Sequence, residues 1–106
     1  MLTEKKQKTL TLPRLNRLQP TLESTALKIM EESGELAQAI GKFRGLSGET
    51  RRVDEQEAMR LVALELLDVA QTAVTMMFVL EEQYQISVEN IIREHLEKLR
   101  ARGYCD

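Results

Sequence analysis

The sequence predicts an all-α protein, a helical bundle of three main helices per chain that is completed by oligomerisation. Apolar residues recur at helical spacing in three stretches, and breaking or capping residues bound each of them. No stretch of useful length alternates as a strand does. With 106 residues the chain has room for one domain and one core. Two Tyr, two Phe and no Trp leave that core aliphatic and rich in methionine.

Residues 1–20 read as an N-terminal arm and residues 21–106 as the helical domain. Pro13 and Pro20 exclude one continuous helix through the arm. Two readings of the arm stay open. It is a loosely docked segment, or its leucines at 10, 12, 15 and 18 pack on the bundle, with room for a short helical turn around Arg14 to Leu18. The first helix is predicted to start near Pro20, a residue suited to a first turn. Leu22, Ala26, Ile29, Leu36, Ile40 and Phe43 form its apolar stripe. Gly34 falls in mid-helix at a cost of about 1 kcal/mol relative to Ala; either it lets a partner helix or a ligand approach closely there, or it is merely tolerated. Gly41, Gly45 and Gly48 then end the helix and open a loop, with Lys42 and Arg44 before it and Arg51 and Arg52 after it.

Asp54, with Glu57 three residues on, marks the start of the second helix, which runs to Leu80 or Glu82. Leu61, Leu64, Glu65, Asp68, Val69, Thr72 and Met76 share one side of it, and Met76, Met77 and Phe78 read as core filling. Ser87 caps the third helix, whose stripe is Val88, Ile91, Ile92, Leu96 and Leu99 and whose end is Gly103. Its other faces carry Arg93, His95, Lys98, Arg100 and Arg102, bases that a helix C-terminus favours in any case.

Net charge is −2 and no basic stripe exists, so nucleic acid is not an expected partner. The single Cys105 excludes an intramolecular disulfide framework and fits a reducing cytoplasm. The N-terminus has no apolar segment of the signal-peptide kind. Leu61 to Leu80 is long enough to span a bilayer, yet Glu65, Asp68 and Gln71 within it are costly in lipid. We therefore expect a buried helix of a soluble, cytoplasmic chain with no membrane partner. A small chain cannot cover an all-round apolar helix alone, so a homodimer or homotetramer is expected.

Four carboxylates stand out against this frame. Glu32 and Glu35 on the first helix, and Glu65 and Asp68 on the second, are each three residues apart. Three steps of about 100° leave such a pair roughly 60° apart on one helix face. Glu65 and Asp68 have no polar face to belong to, because nearly everything around them is apolar. Clustered buried carboxylates are unfavourable unless a cation neutralises them. An all-oxygen set suits Mg²⁺, with Mn²⁺ as the alternative, and argues against zinc.

Lys28-x-x-Glu31-Glu32-x-Gly34-Glu35-Leu36 on one helix, followed by Glu65-x-x-Asp68 on the next, resembles the MazG-like all-α nucleoside triphosphate pyrophosphohydrolases. The resemblance covers roughly Thr21 to Tyr104. It implies that Glu32, Glu35, Glu65 and Asp68 bind Mg²⁺, which holds a nucleoside triphosphate. It also places Glu31 beside the site, orienting the water, and Lys28 near phosphate. Either Glu31 or Glu32 would then take the water's proton. Lys42, Arg44, Lys98 and Arg102 are candidates for neutralising the outer phosphates. The 29 residues between Glu35 and Glu65 make a long connection for the family. His95 and Leu99 stand where members carry Lys and Asn, whereas Arg102-Gly103-Tyr104 matches their ending. The expected reaction cleaves a (d)NTP to a nucleoside monophosphate and pyrophosphate. The competing readings are a narrower enzyme for dUTP, dCTP or phosphoribosyl-ATP, and a non-catalytic helical oligomer or nucleotide-binding degenerate member.

Overall fold

In the computed structural model, residues 6–45 and 54–106 are described and form three helices: α1 (Leu22–Phe43), α2 (Glu55–Tyr84) and α3 (Val88–Ala101). Among the described residues there is no strand. The all-α prediction holds, and Asp54 and Ser87 cap α2 and α3 as the sequence predicts. The Asp54 carboxylate accepts the Glu57 N–H at 3.1 Å, and the Ser87 hydroxyl accepts the Asn90 N–H at 3.3 Å. Pro20 lies just outside α1, whose cap is Thr21. The Thr21 hydroxyl accepts the Ser24 N–H at 3.0 Å, and the Ser24 hydroxyl accepts the Thr21 N–H at 2.9 Å. Gly41 does not stop α1, which continues to Phe43. The loop with Gly48, Arg51 and Arg52 lies outside the described residues.

Two seams with alternating three- and four-residue steps join α1 to α2. The less exposed residues of α1 are Leu22, Thr25, Ile29, Glu32, Leu36, Ala39 and Phe43. Those facing them on α2 are Ala58, Val62, Glu65, Val69, Thr72, Met76 and Val79. That alternation keeps one stripe turned to an antiparallel neighbour along the whole contact. It also corrects the predicted stripes. Ala26 and Ile40 of α1 are exposed, and so are Leu61, Leu64 and Asp68 of α2; polar Thr25 and Glu32 occupy seam positions of α1 that a count of apolar residues skips, whereas Glu65 and Thr72 lie on the seam as the sequence predicts.

The predicted helical turn at Arg14 to Leu18 is absent; only a bend at Asn16 and Arg17 is found there. The arm instead lies extended on α2. Arg14 forms a two-pronged pair with Glu82, Nε–Oε2 at 2.9 Å and Nη2–Oε1 at 2.6 Å, and its guanidinium sits 5.9 Å from the Phe78 ring centre. Gln71 donates to the Pro13 carbonyl at 3.0 Å and Gln83 to the Pro20 carbonyl at 3.2 Å. The extended arm forms no helix or strand to satisfy its carbonyls, and these two side chains of α2 supply donors to them.

α3 packs on α2 and makes no contact with α1. It ends as predicted at Gly103, in the left-handed region at φ 75°, with the Tyr104 N–H on the Leu99 carbonyl at 3.0 Å. The turn before α3 uses Gln85 at φ 54°, a conformation that costs a side-chain-bearing residue roughly 1–2 kcal/mol. Gln85→Gly is therefore expected to raise stability by about 0.5–1 kcal/mol in urea unfolding. A loss of stability would show that the Gln85 side-chain bond to the Glu82 carbonyl outweighs the strain.

One chain does not bury α2. Among the described residues only Ala58 and Val79 are buried apolar residues, while Leu61, Leu64, Leu66, Leu67 and Met77 of α2 are exposed, as are Leu27 and Met30 of α1. The expectation of a buried helix thus fails within a single chain. α2 is long and apolar enough to cross a membrane by length and composition, but it carries Glu65 and Asp68 in its middle.

Candidate metal centre

The two seams meet where both are acidic. Oxygen atoms of Glu32 from α1 and of Glu65 and Asp68 from α2 all lie within 4.8 Å of one another. Glu32 is buried, Glu65 half-buried and Asp68 exposed, so the group opens to solvent on one side. The site exists because Glu32 and Glu65 occupy seam positions, opposite each other across the helix pair, where leucine would otherwise sit.

Glu32 Oε2 and Glu65 Oε2 are buried and have no hydrogen-bond partner. Uncompensated buried carboxylate oxygen is strongly unfavourable, so their environment calls for a cation. Lys28, one turn before Glu32, supplies part of it: its Nζ lies 3.1 Å from Glu32 Oε1. That pairing raises the Lys28 pKa and leaves the other Glu32 oxygen open. The donors are all carboxylate oxygens, so the residues fit a hard divalent ion such as Mg²⁺.

Glu35 lies beside this set rather than within it. Repulsion from Glu32 raises its pKa above the usual carboxylate value, with some loss of solvation and repulsion from Glu65 adding to the rise, although Glu35 itself is exposed. A raised folded pKa means that the folded chain keeps the proton after the unfolded chain has lost it. The resulting penalty is absent below the unfolded value near 4.5, grows as pH rises through the folded value, and is complete above it. In EDTA, the melting temperature of the wild type relative to Glu35→Gln is therefore expected to fall as pH rises from about 4.5 to neutrality. A difference that stays flat with pH would show that Glu35 does not feel its neighbours.

The remaining predicted residues are not gathered at this point. Glu31 is exposed next to the cluster on α1. Lys42 and Arg44 stand at the far end of α1, with Arg44 stacked 4.9 Å from the Phe43 ring centre. Lys98 and Arg102 are exposed on α3, which does not touch α1. Sequence reasoning missed the Lys28–Glu32 pair, although an i,i+4 spacing signals it, and the buried hydroxyls of Thr25 and Thr75.

The family model described as the MazG nucleotide pyrophosphohydrolase domain matches residues 20–103, which include all three helices and leave out most of the arm. No curated protein and no solved structure was found to match the chain.

Proposed function

Because the chain belongs to the MazG nucleotide pyrophosphohydrolase domain family, we propose that it is a Mg²⁺-dependent hydrolase cleaving (d)NTPs to (d)NMP and pyrophosphate. The observation that carries this reading is the pair of buried, partnerless oxygens on Glu32 and Glu65 within a three-carboxylate set. Glu32, Glu65 and Asp68 would hold the ion, with Glu35 at its edge; Mn²⁺ meets the same donor chemistry. When bound, the ion neutralises triphosphate charge and lowers the pKa of a coordinated water.

The chain's own groups supply the rest. Water oxygen adds to the α-phosphorus, the α–β anhydride bond breaks, and pyrophosphate leaves. Glu31 or Glu32 accepts the water's proton. Lys28, already beside Glu32, is the nearest cation for an outer phosphate oxygen, and Lys42 and Arg44 would serve from the far end of α1. Lys98 and Arg102 would need a second copy of the chain to bring them near. We place such a copy over the exposed apolar face of α2, which gives a homodimer or homotetramer.

The test is pyrophosphate release from a panel of eight (d)NTPs, with Mg²⁺ and with EDTA. Release in Mg²⁺ alone is expected. Nucleotide binding without release would favour the degenerate-member reading, and neither binding nor release would leave a helical interaction module.

A further inference from the structure

α1 carries a second apolar face, opposite the one it turns to α2. Leu27 and Met30 on that face are 67% and 73% exposed, the most exposed large apolar side chains in the three described helices. Leu27, Met30, Gly34, Ala37 and Gly41 follow one another at steps of three and four residues, the spacing that keeps a stripe turned to a neighbouring helix. Gly34, at its middle, stands roughly 200° round the helix from Glu32 of the seam. A Cβ added at Gly34 would meet open space, so packing inside one chain does not explain a glycine that costs the helix about 1 kcal/mol relative to Ala.

The stripe is complementary to itself when turned end over end about Gly34. Its N-terminal half is bulky and its C-terminal half small. In an antiparallel pair centred on Gly34, residues equally far from it in opposite directions face each other. Leu27 of one copy then meets Gly41 of the other, and Met30 meets Ala37, so each bulky side chain lies against a small one. The flanks match as well. Glu23 comes beside Arg44, and Glu31 beside Gln38, whose amide can donate to it. A parallel pair would set Glu23 on Glu23 and Glu31 on Glu31, like charge on like. All of these residues are exposed in one chain except the half-buried Gly41.

We infer that α1 pairs antiparallel with α1 of a second copy, crossing at Gly34, and that this contact joins two dimers formed through α2 into a homotetramer. The inference rests on the copy placed over α2 above. Two bulky apolar side chains per chain fall short of the roughly 800 Å² per partner that a stable interface buries, so the α1 contact needs dimers already formed. Made twice between the same two dimers, it gains from their linkage. It also brings Gln38 of the second copy to Glu31, next to the carboxylates of the candidate metal centre.

The test is oxidative cross-linking of the full chain, with Cys105→Ser to remove the native thiol. Met30→Cys combined with Ala37→Cys is expected to give a disulfide-linked dimer. The two sites of one chain are about 10 Å apart along the helix, beyond disulfide reach, so the link forms between copies. Met30→Cys alone should stay unlinked, because the two copies of that site stand about 12 Å apart in the antiparallel pair. Sedimentation equilibrium supplies an independent reading. The wild type is expected to be a tetramer. Gly34→Leu favours the helix but blocks the crossing, so it should be a dimer of unchanged helical content. No link in the double variant, or a link in Met30→Cys alone, would overturn the antiparallel pair. A dimeric wild type or a tetrameric Gly34→Leu would overturn it too, and all four results leave the α2 contact standing. A monomeric wild type would overturn both contacts.

Discussion

Glu65→Gln is expected to abolish pyrophosphate release while making the metal-free chain more stable. Glu65 shares a 4.8 Å space with Glu32 and Asp68, and one of its oxygens is buried without a partner. Replacing outer-shell partners of metal ligands costs 10–100-fold in activity, so losing a direct donor should cost at least about 100-fold. Stability should move the other way in EDTA. The amide removes one of three crowded negative charges and brings N–H groups that can donate to the other two carboxylates. A gain of about 1 kcal/mol would raise the melting temperature by about 4–8 °C in a domain of this size. Mg²⁺ should reverse the order, because an ion bound only by the folded wild type stabilises it by mass action and the variant has lost the donor set. Melting curves of both proteins in EDTA and in Mg²⁺ make the comparison. If the variant melts lower in EDTA and Mg²⁺ moves neither protein, the three carboxylates do not form a metal centre.

The parts of this fold that are legible in the sequence depend on local chemistry. Asp54 and Ser87 are readable as caps because a short side-chain oxygen beside an apolar run has few other roles. Glu65 and Asp68 are readable as a site because charge inside an apolar helix conflicts with ordinary burial. The register of the helix pair is another matter. Which face of α1 meets α2 depends on both helices together, and Thr25 and Glu32 sit on that face although they are polar. A search for apolar spacing therefore recruited Ala26, Ile40, Leu61 and Leu64, which point elsewhere. The arm's attachment is beyond such reading as well. Arg14 and Glu82 are 68 residues apart, and no local pattern joins them. Gln85 likewise has a positive φ where glycine or asparagine is the usual signal. The cap and carboxylate readings rest on neighbours within a turn, whereas the seam and the arm rest on partners distant in sequence.

Leu64→Glu combined with Leu67→Glu should dissociate the homo-oligomer we propose, although neither leucine is buried in one chain. The two are 50% and 38% exposed, three residues apart, and lie with Leu61 on one flank of α2. On a solvated surface each change would alter stability by no more than about 0.5 kcal/mol. The surroundings suggest that this face is not solvated. Two buried apolar side chains among the described residues make too little core for a stable domain, and water-facing leucine rows of this extent mark contact surfaces. If a second copy covers the row, two carboxylates must be stripped of water inside an apolar interface, at several kcal/mol each. The assembly should then fall to monomers, or the chain should unfold with it. Sedimentation equilibrium and melting at several protein concentrations separate the cases. The wild type is expected to be a dimer or tetramer whose melting temperature rises with concentration, and the double variant a monomer or unfolded chain. A monomeric wild type, with the variant equally stable, would mean that one chain carries its exposed leucines alone. In that case any contribution of Lys98 and Arg102 to phosphate binding would be excluded too, since a second copy is their route to the carboxylates.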